Sequence, residues 1–146
     1  MRKLVTLLMI AAIVLVVLAL LIQVLPYGHT HTNPPLVKEP NWNSPETRQI
    51  AQKACFDCHS NETIWPWYSN IAPMSWLVQR DVDVARSRMN FSDWGRISVE
   101  VGEIIEIVSE GEMPPFQYLL MHPGARLSEQ EKTRFIDGIN ATLNRP

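Results

Sequence analysis

AQKACFDCHSNETIWPWYSN, residues 51–70, holds both cysteines of a chain of 146 residues. Cys55 and Cys58 stand three positions apart, and His59 follows the second directly. Such a pair serves one of three chemistries: a redox disulfide, half of a zinc site, or the attachment of a haem. Each makes a different demand on the rest of the chain, and the fold expected follows from which demand is met.

A redox Cys-x-x-Cys pair sits at a strand-to-helix junction in a βαβ setting. The sequence around this pair is helical instead. Ser44-Pro45-Glu46 reads as an N-cap, a first-turn proline and an acid, and Ile50, Ala51 and Ala54 then share one helix face. That helix runs straight into Cys55. Structural zinc needs four ligands, commonly two such pairs. This chain offers one pair and a few histidines, and the adjacent Cys58 and His59 are poorly placed to share one tetrahedral ion. Haem attachment accounts for all three residues. Each thiol can add to one vinyl group, and the histidine after the second cysteine falls under the iron as its proximal ligand.

The N-terminus is strongly apolar. Between Leu4 and Ile22 there is no charged residue and one polar one, Thr6. A run of that length can cross a bilayer core as a helix. Arg2 and Lys3 precede it and no further Lys or Arg occurs before Lys38, so the N-terminus is expected in the cytoplasm and the rest outside. A cleaved signal peptide is the alternative, but the run ends Gln23-Val24-Leu25-Pro26 without a small-x-small site. No cysteine stands there for lipid attachment. The expected location is thus the cytoplasmic membrane, single-pass, with the functional domain on the periplasmic or extracytoplasmic side. Haem attachment of this type takes place outside the bacterial cytoplasm, in agreement with that topology.

Residues 26–45 hold five of the eleven prolines and no helical or strand periodicity, which reads as an extended spacer with His29 and His31 solvated. Beyond the cysteine turn comes the aromatic loop Ile64-Trp65-Pro66-Trp67-Tyr68. Pro73 is expected to start a helix with Val78, Val82, Ala85 and Met89 on one face, and Phe91-Ser92-Asp93-Trp94 to form a turn or cap. A third helix is expected to carry Ile97, Val101, Ile104, Ile105 and Val108, ended by Gly111, with Pro114-Pro115 preventing its resumption. Ser128-Glu129-Gln130-Glu131 is a capping box before a last helix with Phe135, Ile136, Ile139 and Leu143 inside. The domain organisation expected is an anchor over 1–25, a Pro-rich linker over 26–43 and an all-α domain over 44–146, of about four helices. Thirteen Lys and Arg against fifteen Asp and Glu leave no basic stripe for phosphates, so nucleic acid is excluded as a partner.

The exported part resembles a monohaem c-type cytochrome and, more narrowly, the small membrane-anchored bacterial haem-binding domain proteins. The resemblance runs from His31 to about Leu143 and rests on HTNPP, ACFDCHSNET with WPWYS, IAP with SW, GEMPP, and HP with ARLS. It implies a small cytochrome c-like helical domain around one covalent haem c, held through Cys55 and Cys58 with His59 on the iron. It also implies close packing of the first and last helices of the domain, with Gly138 allowing the backbones to approach.

The sixth iron ligand is the open position. Met113 is favoured, because Pro114-Pro115 hold its loop extended after a helix has stopped, and this Met-Pro arrangement resembles the ligand loop of small c-type cytochromes. Its thioether would raise the potential compared with a second histidine; otherwise Met113 is a core filler. His122 and then Met74 are the alternatives, and Met89 belongs to the core. Trp65, Trp67, Tyr68 and Trp76 are expected to bury the haem plate and supply donors to its propionates. Arg80, Arg86 or Arg88 would be propionate partners if they are not solvated. Glu100, Glu103, Glu106, Glu110 and Glu112 form an acidic side that either is solvated or steers a basic redox protein partner. With no acid-base pair or nucleophile beside the haem motif, single-electron transfer is favoured over an enzyme. A haem-based gas or redox sensor and haem-dependent peroxide reduction, with Arg126 or His122 as a distal group, are the alternatives.

Overall fold

A computed structural model describes residues 1–143, and among these all regular structure is helical. The helices are α1 (Arg2–Ile22), α2 (Pro45–Ala54), α3 (Phe56–His59), α4 (Met74–Arg88), α5 (Val101–Ser109), α6 (Phe116–Met121) and α7 (Glu129–Leu143). Two 3-10 turns, Trp67–Asn70 and Pro123–Ala125, complete them. The extended pairing among the described residues is one isolated parallel bridge, Lys38 to Asp93. The chain divides into two compact units: Met1–His31 with Trp65–Asp81, and Thr32–Ile64 with Val82–Pro146.

In the first unit, α1 buries none of its residues and is long and apolar enough to cross a membrane. At 1.5 Å per residue its length is about 30 Å, matching a bilayer core. Its C-cap residue, Gln23, is tied by its side chain to a distant backbone. Nε2 donates to the Ala72 carbonyl at 3.0 Å, and the Ala72 N–H donates to Oε1 at 2.9 Å. Gly28 adopts φ +87°, and a Cβ there would lie 2.7 Å from the Ser75 carbonyl carbon, so only glycine fits this approach.

The second unit is organised by α2 and α7. Ser44 caps α2 by accepting from the Thr47 N–H at 3.2 Å, with Pro45 in the first turn. The Ser128 capping box is formed as the sequence indicates: the Ser128 N–H donates to Glu131 Oε2 at 2.8 Å and the Glu131 N–H to Ser128 Oγ at 3.3 Å. Ile50, Ala51 and Ala54 of α2 are buried in one core with Phe135 and Ile139 of α7. A Cβ on Gly138 would overlap the side chain of Thr47, so glycine here sets the closeness of the two helices. α5 packs on α7 and buries Ile104 and Val108.

One expectation from sequence is corrected: Ile97 lies outside α5, which begins at Val101. α5 ends at Ser109 and is not resumed across Pro114-Pro115; a separate helix, α6, starts after them with Pro115 as its N-cap. Phe91 lies in the expected turn and is also fully buried. It stacks on Phe56 and Trp94, with Trp42 tilted against it, so a single ring in an irregular segment forms the centre of the core.

The Pro-rich stretch has no regular structure, yet from Thr32 onward it is held down. Arg86 donates to the Thr32 carbonyl, to Asn33 Oδ1, to the Ser60 carbonyl and to Thr63 Oγ1, each at 2.8–2.9 Å. Asn61 Nδ2 donates to the Pro35 carbonyl at 3.1 Å. The N–H groups of Val37 and Lys38 donate to the Ser92 carbonyl. Arg86 is therefore neither solvated nor free for a propionate; four partners occupy its guanidinium.

Candidate functional site

The cysteine turn is built by the end of α2. Cys55 closes α2 by donating its N–H to the Ala51 carbonyl at 2.8 Å, and its own carbonyl accepts from the N–H groups of Cys58 (3.1 Å) and His59 (2.8 Å). The two thiols and the imidazole thus leave one tight helical turn, α3, whose buried Phe56 anchors it on Phe91. Neither cysteine is in a disulfide, and both are partly buried. Burial pushes the Cys55 thiol up to about 12, and the neighbouring Cys58 adds to the shift. A thiol held protonated at neutral pH is the opposite of the depressed thiolate a redox pair uses. Nor does any group of three or more His, Cys, Asp and Glu come together to hold a metal ion among the described residues.

His59 carries the sharpest geometry. Its Nδ1 lies 3.1 Å from the Met89 carbonyl, and its own carbonyl accepts from the Phe91 N–H at 2.8 Å. A carbonyl can only accept, so Nδ1 must carry the proton. Burial also lowers the pKa of the ring against the opposing pull of the Met89 and Ala85 carbonyls, favouring neutral imidazole. In that state Nε2 keeps its lone pair. A histidine with one nitrogen protonated and tied to a backbone carbonyl, and the other available, is prepared for ligation.

Between the cysteines, Asp57 is held from two sides. Oδ1 accepts from the Ile64 N–H at 3.1 Å and Oδ2 from the Tyr118 hydroxyl at 2.6 Å. Tyr118 belongs to α6, so this bond fixes the segment after Met113 to the cysteine turn. The Tyr118 ring stacks on His122 at 4.2 Å, and His122 Nδ1 lies 3.2 Å from the Tyr118 carbonyl. Met113 is partly buried against the same apolar core that Cys55 borders, and its N–H donates to the Ile107 carbonyl at 3.2 Å. The structure therefore brings Cys55, Cys58, His59, Met113 and His122 into one unit, with the Tyr118–Asp57 bond as a link that the sequence did not suggest.

Trp65, Trp67, Tyr68, Trp76 and Met74 belong to the other unit. His31, expected in solvent, stacks on Trp65 at 4.6 Å and places Nε2 2.9 Å from the Ser69 carbonyl, with a φ of 43°. The indole N–H groups of Trp65 and Trp76 and the Ser75 hydroxyl are buried without a hydrogen-bond partner in the structure described. Trp67 is 72% exposed and contributes nothing to its unit's interior beyond an edge contact with Tyr68. Met74 is exposed as well. The five glutamates from Glu100 to Glu112 are all exposed, and none forms an ion pair among the described residues.

A family model described as a haem-binding domain matches residues 17–141, from within α1 into α7. The chain belongs to the haem-binding domain family. No curated protein and no solved structure matches it. The residues of this haem-binding domain fit the group that names the family: two cysteines on one turn and in no disulfide, a neutral histidine with a fixed tautomer next to the second, and apolar surface around them.

Proposed function

We propose that this haem-binding domain is a membrane-anchored c-type cytochrome that holds one haem covalently through Cys55 and Cys58 and passes single electrons on the extracytoplasmic side. The observation that carries the reading is the His59–Met89 contact, which leaves Nε2 unprotonated on the turn that carries both cysteines, neither of them in a disulfide. The haem would supply a one-electron couple. His59 would hold the iron, and the Met89 carbonyl would orient the ring and strengthen its donor character. Met113 is the proposed sixth ligand, with His122 behind it. Trp65, Tyr68 and Trp76 enter through their chemistry, as aromatic surface and buried indole donors of the kind a carboxylate accepts. α1 supplies the anchor, with Arg2 and Lys3 on the cytoplasmic side. The partner in this reading is a redox protein.

One observation favours a second reading. Met113 packs against the apolar core, the place of a filler rather than of a free ligand. With the sixth position open, the same haem would serve a gas or redox sensor, or peroxide reduction. The test is the full chain expressed with haem-attachment machinery. A haem stain that survives a denaturing gel and disappears in the C55S/C58S double variant is expected. A ferrous spectrum unchanged by CO supports the carrier; a prompt CO shift supports the second reading. No stain in the wild type overturns covalent attachment.

A further inference from the structure

The first unit contains α1 and one other segment of chain, Trp65–Asp81. That segment lacks charge over most of its length: from Ile64 to Gln79 there is no Asp, Glu, Lys or Arg. Its apolar side chains are turned outward. Trp67 is 72% exposed, Ile71 48%, Met74 41% and Leu77 39%. An uncharged segment that exposes large apolar side chains requires a covering partner.

The position of the segment identifies that partner. Gln23, the residue that ends α1, is bonded through both atoms of its side-chain amide to the N–H and carbonyl of Ala72. Ala72 therefore sits at the level where α1 ends. For a helix that spans the hydrocarbon core, this level is the membrane–water interface. Ile71 precedes Ala72 directly and Met74 follows it two positions on, and Trp67 begins the 3-10 turn that leads into this stretch. A second tie keeps the level fixed: Gly28, five residues beyond Gln23, lies against the backbone of Ser75. Tryptophan favours the headgroup region, where its ring is shielded and its N–H is wet. The absence of charge removes the desolvation cost that would keep such a segment in water.

We propose that residues 67–77 form an interfacial foot, in which Trp67, Ile71, Met74 and Leu77 lie in the headgroup and upper acyl region of the bilayer that α1 spans. The occupant of this face is lipid, and the attraction is apolar, so it does not depend on anionic headgroups. The foot rests on the anchor reading of α1 and extends it: the protein touches its membrane twice, once through it and once along it.

The experiment uses the full chain labelled with 5-fluorotryptophan in phosphatidylcholine nanodiscs, with W67F assigning the Trp67 resonance. A nitroxide carried high on the lipid acyl chain should broaden that resonance at least several-fold more than it broadens Trp42 or Trp94. A water-soluble nitroxide should spare it. Broadening by the aqueous reagent alone would place Trp67 in water, on a face open to a protein partner, and overturn the foot. Broadening by neither reagent would bury Trp67 inside protein or against a cofactor, and overturn it equally. A chain that fails to co-elute with nanodiscs would overturn the anchor and the foot together, whereas co-elution with an aqueous Trp67 would overturn the foot alone.

Discussion

The turn that carries His59 and the loop that carries Met113 lie in the same unit, and they are held by different means. The turn is the end of α2, packed on α7 through Gly138, with Phe56 stacked on the buried Phe91 and the backbone of His59 bonded to that of Phe91. The loop lies between α5 and the six-residue α6, whose Phe116, Leu120 and Met121 are exposed. A side-chain bond, Tyr118 to Asp57, connects α6 to the turn. Packing fixes the turn over its whole surface. The loop is held at its edges: Met113 packs on the border of the same core, its N–H donates to the Ile107 carbonyl, and Tyr118 ties α6 to Asp57. On the proposed function, a loop held in this way would let the sixth position exchange or lose its ligand more readily than the turn could lose His59.

The largest loss is expected on the packed side. Phe91→Ala should cost about 3–5 kcal/mol, because it empties a fully enclosed site against three rings. Denaturant unfolding of the full chain in detergent would read this. A loss below about 1 kcal/mol would mean that packing does not hold the turn. Gly138→Ala should cost about 1–3 kcal/mol through overlap with Thr47. Adding Thr47→Ala should recover part of that loss, and purely additive costs would refute the contact.

A smaller effect is expected at the edge of the packed side. Lys53 of α2 donates to Glu131 of α7 at 2.6 Å, and this bond, with the Ser128 cap, holds the Glu131 carboxyl at about 2, below its ordinary value of 4.5. Its folded pKa is depressed, so the ionised form stabilises the fold above about pH 4.5, and the contribution is lost as the pH falls through about 2. Glu131→Gln should therefore lower the melting temperature at pH 7 and converge with wild type as the pH approaches 2. Equal melting temperatures at pH 7 would show that the pair is only a solvated contact. The smallest effect belongs to the loop side. Phe116→Ala, at 69% exposure, should stay within about 0.5 kcal/mol of wild type in the same unfolding assay.

What could be read in the sequence was local. Cys55, Cys58 and His59 declare themselves because the chemistry needs them on one turn. Ser44 and Ser128 mark their helices because a cap acts over three residues. Gly138 was legible once the first and last helices were paired by resemblance. Phe91 was not, because one apolar residue between polar ones has no period. Arg86 was not, because its partners at Thr32, Asn33, Ser60 and Thr63 are backbone and small polar groups far away in the chain. The Tyr118–Asp57 bond joins residues 61 positions apart and leaves no pattern in either neighbourhood. The haem contact expected for Trp67 rested on its nearness in sequence to the cysteine motif, and nearness in sequence does not say which way a ring faces.

The bonded state of the Pro-rich stretch bears on the life history of the molecule. A protease needs several residues of loose, extended chain to enter its cleft, and from Thr32 to Lys38 the backbone is fastened by Arg86, Asn61 and Ser92. The segment that looks in sequence like the natural place to cut is therefore a poor substrate. Cutting there would first require breaking those bonds, so on the proposed anchor reading this stretch is not where a diffusing form would be released.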